Sequence, residues 1–309
     1  MAKAAKGVFF MDRRQFCKLA GATVGAALTG AKLSSAAGSP LAGTNANGQG
    51  IAPEEFVGVL TDTTRCIGCR SCEMACGRAH DLYVPDLLND KALDNERQTS
   101  EKQWTVVNRY ETQKGTVYAK KQCLHCWQPA CASACLTNAM FKTRSGPVIW
   151  RGDKCMGCRY CMISCPFSIP KFEYNSWNPR IQKCIMCHDR IQAGKKPACV
   201  EACPTDALMF GRKRDLIEIA RDRIYNHPDR YHPEIYGEHV AGGTGWLYLA
   251  PVPFDQLGFP TNLGTTPYPE YTREFLYVVP MVFLLWPTFL LGLNYLTRKP
   301  EEPVKQRGA

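Results

Sequence analysis

Short apolar runs separated by polar, cysteine-bearing loops fill most of the chain, and one long apolar run closes it. Residues 56–60 read as an apolar strand leading into the first group of cysteines. Runs at 104–110 and 116–119, rich in β-branched and aromatic residues, predict two more strands inside an otherwise polar insertion, 77–122, expected to pack over the core or face a partner. From Ala139-Met140-Phe141 through a Gly-Pro turn to Val148–Trp150 the pattern predicts a hairpin. Leu216, Ile217, Ile219, Ala220 and Ile224 recur at helical spacing, so a surface helix is expected, ending near Asn226, His227 and Pro228. The Gly-, Pro- and aromatic-rich segment 232–260 offers only Trp246–Leu249 as regular structure and reads as an arm laid on another subunit.

The closing run, 275–296, is 22 residues without a charge. At 1.5 Å per residue it reaches roughly 33 Å, enough for a hydrocarbon core of about 30 Å. Pro280 and Pro287 would break a soluble helix but are tolerated in a membrane, where neighbours satisfy the freed backbone groups. A buried soluble helix is the alternative. Arg298, Lys299, Lys305 and Arg307 follow, which places the C-terminus on the cytoplasmic side. At the other end, Arg13-Arg14, Phe16, Lys18, a weakly apolar run from Leu19 and the small residues Ser35-Ala36-Ala37 read as a twin-arginine export signal. That route carries folded proteins, so a cofactor can be inserted before export. The expected location is the inner membrane, with the main domain on the periplasmic side.

Sixteen of the 17 cysteines fall into four sets, and the other, Cys17, lies in the signal. Cys155, Cys158, Cys161 and Cys165, followed by Pro166, have the C-x2-C-x2-C-x3-C-P spacing that holds [4Fe–4S] clusters in bacterial ferredoxins. Three thiolates two residues apart can each reach a different iron of a cube, and the fourth ligates a neighbouring cluster. The other sets are Cys66, Cys69, Cys72 and Cys76; Cys123, Cys126, Cys131 and Cys135; and Cys184, Cys187, Cys199 and Cys203. Repeated exchange of fourth cysteines gives an explicit assignment: Cys66, Cys69, Cys72 and Cys203; Cys76, Cys184, Cys187 and Cys199; Cys123, Cys126, Cys131 and Cys165; Cys135, Cys155, Cys158 and Cys161. Nothing in the spacing alone fixes which sets pair. Sets one and two lack the trailing proline, having Gly77 and Leu136 instead. Apolar runs of one type follow sets two and four (Ala139-Met140-Phe141 and Ala207-Leu208-Met209-Phe210), which reads as internal duplication.

Charge modifies the picture little. The net charge of +10 suggests nucleic acid at first sight, but residues 1–37 hold six Lys/Arg against one Asp, leaving 32 basic against 27 acidic side chains. Four clusters at about −2 each would turn that excess negative, so the basic residues read as compensation and no nucleic-acid role is expected. Disulfides do not need this spacing, and zinc sites favour two CxxC knuckles over three cysteines in a row. Cys184-Ile-Met-Cys187-His188 is formally a haem-attachment motif, but that use would strand Cys199 and Cys203. His80, His125 and His188 read as packing or hydrogen-bonding residues; His227, His232 and His239 as solvated or interface residues. There is no nucleotide-binding glycine loop, zinc-protease motif or nucleophile–base pair, so no catalytic residue is assigned and the chain reads as an electron wire rather than an enzyme.

The runs TTRCIGCRSCEMAC, WTVVNRY, CMGCRYCMISCPFSIP, GRKRDLIEIARDRI and YGEHVAGGTGWLYLAPVPF span nearly the whole mature chain. By them it resembles the four-cluster iron–sulfur subunits of the dimethyl-sulfoxide-reductase and formate-dehydrogenase class. It looks most like the membrane-anchored subunits of periplasmic hydrogenase-2 and the high-molecular-mass cytochrome c complex. The resemblance implies an α+β fold of two interleaved double-cluster ferredoxin-like modules, a C-terminal arm and one transmembrane helix. It also implies electron transfer between a periplasmic partner (multihaem cytochrome c, hydrogenase or molybdopterin subunit) and a polytopic, quinone-interacting membrane subunit of the NrfD type. Some such subunits lack one cysteine and hold a three-iron cluster; here no set is short. The expected order is signal 1–37, linker 38–55, cluster domain 56–235, arm 236–273, membrane helix 274–297 and tail 298–309. Module 1 is drawn from 56–80 and 180–215, and module 2 from 120–175. An iron–sulfur subunit of a molybdopterin enzyme and a zinc-stabilised scaffold are the alternatives.

Overall fold

A three-stranded sheet stands at the centre, with a helix on one face and the cysteine loops on the other. In the computed structural model the described residues are 55–297 and a two-residue pairing of Gly43–Thr44 with Gly50–Ile51. The expected signal, most of the linker, Cys17 and the tail 298–309 lie outside the described residues.

Val57–Asp62 is the middle strand. Leu208–Arg212 pairs with it antiparallel and Trp246–Leu249 parallel. Side chains alternate across a strand. Leu60, Leu247 and Leu249 therefore meet Leu216 and Ala220 of the helix Lys213–Asn226, while Val57, Val59, Phe210, Trp246 and Tyr248 turn to the cysteine side. Asp62, fully buried, closes the helix side: its carboxylate accepts from Arg223 and from the Tyr231 hydroxyl, both at 2.8 Å.

The segment 236–259 corrects one expectation. Rather than lying as an arm on another subunit, it supplies the third strand and the largest core side chains: Tyr236, Trp246 and Tyr248 are wholly buried, and Phe254 nearly so. Parallel pairing to the middle strand buries Trp246–Leu249 on both faces, so its continuous apolar run reads as interior and not as interface.

The insertion folds as a hairpin of Val106–Thr112 with Gly115–Lys121. Val117 and Ala119 join the core that contains Cys123 and Cys184. Its anchor is Glu73, on the helix Ser71–Ala79 between Cys72 and Cys76. This wholly buried carboxylate accepts from both Arg97 Nη atoms, from Arg70 Nε at 3.3 Å, from Gln103 Nε2 at 2.9 Å and from the Val107 amide. Glu73→Ala strands two guanidinium groups, one of them buried, and should cost about 3–5 kcal/mol. The anaerobic thermal midpoint should fall by roughly 10 °C or more; an unchanged midpoint would show that the insertion is anchored elsewhere.

Shorter pairings, Met140–Lys142 with Val148–Trp150 and Lys171–Phe172 with Ile181–Gln182, serve the second half of the cysteine region. The described residues end in the 28-residue helix Glu270–Thr297, with no buried residue and both prolines inside it; it is long and apolar enough to cross a membrane. Its root shares a groove with Gln128, Ala130, Ser133, Ala134 and Ser164.

Candidate metal centres

The cysteine loops share one backbone shape. The residue before the second cysteine of each set is left-handed: Gly68 (φ +71°), His125 (+51°), Gly157 (+74°) and Met186 (+55°). Three residues after the fourth cysteine, Asn138, Ser168 and Asp206 repeat that conformation in the last three sets. Glycine takes the turn without strain; His125 and Met186 hold it at about 1–2 kcal/mol each. The turn curls the chain round its own sulfur, as where the Met186 amide donates to Cys184 Sγ at 3.3 Å. Gly68 has a second constraint, because a Cβ there would lie 2.5 Å from the Tyr118 ring.

Short helices carry the later cysteines. Ser71–Ala79, with Cys72 and Cys76, packs against Ala198–Glu201, with Cys199; Ala130–Ser133, with Cys131, packs against Tyr160–Ile163, with Cys161. Sets one and four thus meet, as do sets two and three. Cys66, Cys69, Cys72 and Cys203 line one cavity. Cys135, Cys155, Cys158 and Cys161 line another. The Cys76 thiol lies within electrostatic reach of Cys184, Cys199 and Cys187. Cys165 faces Cys123, and Cys131 lies near Cys123, Cys165 and Cys126.

These surroundings suit a cluster. Among the described residues no three His, Cys, Asp or Glu side chains converge as they would on one metal ion, so the thiols bound cavities rather than a point. Thr61 Oγ1, in the wall of the first cavity, and Trp150 Nε1, in the wall of the Cys135 cavity, are buried donors without a partner among the described residues. Inorganic sulfide would accept from such groups. Burial pushes several of the thiols up, Cys66 to about 11 and Cys126 and Cys184 to about 12. Cys135 goes the other way: burial opposes its thiolate, but the Ala139 and Met140 amides, at 3.1 and 3.3 Å, outweigh it. Loading with iron would therefore displace protons from these sulfurs.

Three lysines complete the electrostatics. Lys120 and Lys183 are buried and Lys142 half-buried, and all donate to neutral oxygens. Lys120 Nζ reaches Gln122 Oε1 at 2.8 Å; Lys183 reaches the Val148 and Cys184 carbonyls; Lys142 reaches those of His125, Cys126 and Gly146. Burial pulls Lys142 down to about 7, against the pull of Cys126 and Cys123. Around Lys120 the thiols of Cys199, Cys72, Cys184 and Cys76 overcome burial and raise its value. Sequence reasoning passed over these lysines, although a signal was present: Lys120 and Lys121 are consecutive in a strand, so they point to opposite faces and one must enter the core.

His80 Nε2 lies 3.2 Å from Cys187 Sγ, and its ring stacks on Trp104. His125 is wholly buried, and its Nδ1 accepts from the Val148 amide at 2.9 Å. Burial holds both rings, and His188, below their ordinary values. His188 opens the helix His188–Gln192. His232 and His239 each face an adjacent glutamate, Glu234 and Glu238.

Comparison with known proteins agrees with this chemistry. The 4Fe–4S dicluster domain family matches residues 115–213. A protein of Nitratidesulfovibrio vulgaris is 46% identical over 94% of this chain and 78% of its own length. Hydrogenase-2 operon protein HybA of Escherichia coli O157:H7 is 33% identical over 94% of this chain and 95% of its own. The nitrate-inducible formate dehydrogenase iron–sulfur subunit of Escherichia coli K12 is 36% identical over 62% and 67% respectively.

Proposed function

We propose that this chain, which belongs to the family of ferredoxin-type iron–sulfur electron-transfer subunits of oxidoreductase complexes, holds four [4Fe–4S] clusters in a row. The quartets would be those of the crossed assignment. Bound there, clusters would supply one-electron transfer without proton chemistry.

The observation that carries this reading is the adjacency of the quartets. Cys72 of the Cys66 quartet lies near Cys199 of the next, with Lys120 beside both. Cys184 of that second quartet lies near Cys123 of the third. Cys131 and Cys135, on one short helix and the residue shortly after it, join the third quartet to the fourth. Both ends of this line are open: Ile67, in the wall of the first cavity, is 59% exposed, and Cys158 of the fourth quartet is exposed. The root of the apolar helix adjoins Ala130, Ser133, Ala134 and Ser164, chain neighbours of Cys131, Cys135 and Cys165, which supports the half of the line that holds the third and fourth quartets as the membrane end.

The chain then acts as an exported, tail-anchored relay. A periplasmic partner, a multihaem cytochrome c or a hydrogenase, docks at the Cys66 end, and a quinone-interacting membrane subunit of the NrfD type at the Cys158 end. The similarity to a formate dehydrogenase iron–sulfur subunit favours a second reading, in which the large partner is a molybdopterin enzyme. In detergent-solubilised membranes the full chain should copurify with a polytopic subunit and, once reduced, transfer electrons through it to a soluble quinone analogue. The identity of the copurifying large subunit, haem or molybdenum, separates the two readings. A chain recovered wholly in the soluble fraction, passing no electrons to quinone, would sink both.

A further inference from the structure

Lys120 is a buried charge that the relay described above does not use. It is 3% exposed, on the strand Gly115–Lys121, in the wall of the cavity bounded by Cys66, Cys69, Cys72 and Cys203. The groups its ammonium touches are neutral: Gln122 Oε1 at 2.8 Å and the face of Trp246, 4.5 Å from the ring centroid. Its position is locked by a closed ring of hydrogen bonds. Gln122 Nε2 donates to Tyr248 Oη, and Tyr248 Oη donates to the Lys120 carbonyl at 2.9 Å. Gln122 is 1% exposed and Tyr248 wholly buried. A buried ammonium held by uncharged groups is costly unless an anion stands nearby.

We propose that Lys120 is a positioning residue which raises the reduction potentials of the first two clusters together, those of Cys66, Cys69, Cys72 and Cys203 and of Cys76, Cys184, Cys187 and Cys199. Reduction adds one negative charge to a site that is already anionic. A fixed positive charge at the junction of two such sites favours the reduced form of each, and does so strongly where water is excluded. Lys142 and Lys183 touch backbone beside Cys126 and Cys184. Among the described residues that line the Cys66 cavity, Lys120 is the one lysine. The inference rests on the quartets being cluster sites.

The test is an EPR-monitored reductive titration of the full chain carrying Lys120→Met, beside Gln122→Glu. The second variant leaves the lysine in place and sets a carboxylate against it. Both should shift the one-electron equilibrium of the first two clusters at least tenfold toward the oxidised form, about 59 mV downward. The clusters of Cys123 and Cys155 should move by less than threefold. Loaded variants with unchanged potentials overturn the proposal. So do two variants that lose iron, since Lys120 would then be structural. If Lys120→Met alone loses iron, Gln122→Glu decides by the same criterion. Iron in the unsubstituted chain separates these outcomes from failure of the underlying reading: with no iron there, the quartets themselves are wrong.

Discussion

Cys165→Ser is expected to damage the cluster bounded by Cys123, Cys126 and Cys131 and to leave that of Cys155, Cys158 and Cys161 loaded. In sequence Cys165 belongs with the latter group. In space its thiol faces Cys123, while Cys161 has Cys135, Cys155 and Cys158 as neighbours. Serine is a poor iron ligand at neutral pH because its hydroxyl stays protonated, whereas a thiol becomes thiolate on binding. Iron should fall by about one to four atoms per chain, with the loss confined to one spectroscopic signal. The mirror substitution, Cys135→Ser, should remove the other signal of the pair. Loss of the Cys155 signal in Cys165→Ser would replace the crossed assignment with four local ones.

Anaerobic removal of iron should have a still larger effect, the loss of ordered structure across residues 123–205. Regular structure there consists of helices of three to five residues and strands of two or three. Helices that short do not persist unaided, because nucleation is unfavourable. The sixteen cysteines of the described region form no disulfides. Metal would therefore be the cross-link, tying Cys203 to the loop of Cys66 and Cys135 to that of Cys155, much as small scaffolds rely on staples. The sheet–helix core of Leu60, Leu216, Ala220, Tyr231, Leu247 and Leu249 contains no cysteine and should outlast the rest. Limited proteolysis of chelated protein should cut first within 123–205 and spare 208–249. Protection unchanged by chelation would mean that packing, not metal, holds the loops.

How far the chain could be read without its structure depended on whether a residue's role shows in its type. The strands near 56–60, 104–110 and 116–119 and the helix of Leu216 and Ala220 were legible because period-2 and helical patterns report burial directly. The cysteine spacing was equally plain. The place of Trp246–Leu249 was not: its strand character showed, but flanking glycines and prolines disguised a central element as an arm. His125 and Met186 take the turn that Gly68 and Gly157 take, and neither residue type advertises a left-handed backbone. Nothing in the sequence marks Glu73 as buried, because its partners Arg97, Gln103 and Val107 come from an insertion whose return path the sequence does not show.

Iron, acid-labile sulfide and zinc content of the anaerobically purified full chain, taken with low-temperature EPR during reductive titration, tests the four-cluster relay most directly. The relay requires about sixteen irons and sixteen sulfides per chain, with S = 1/2 signals broadened by coupling between neighbouring clusters. Zinc in place of iron, with no signal from fully matured protein, would contradict it and leave a scaffold that tethers partners without carrying electrons.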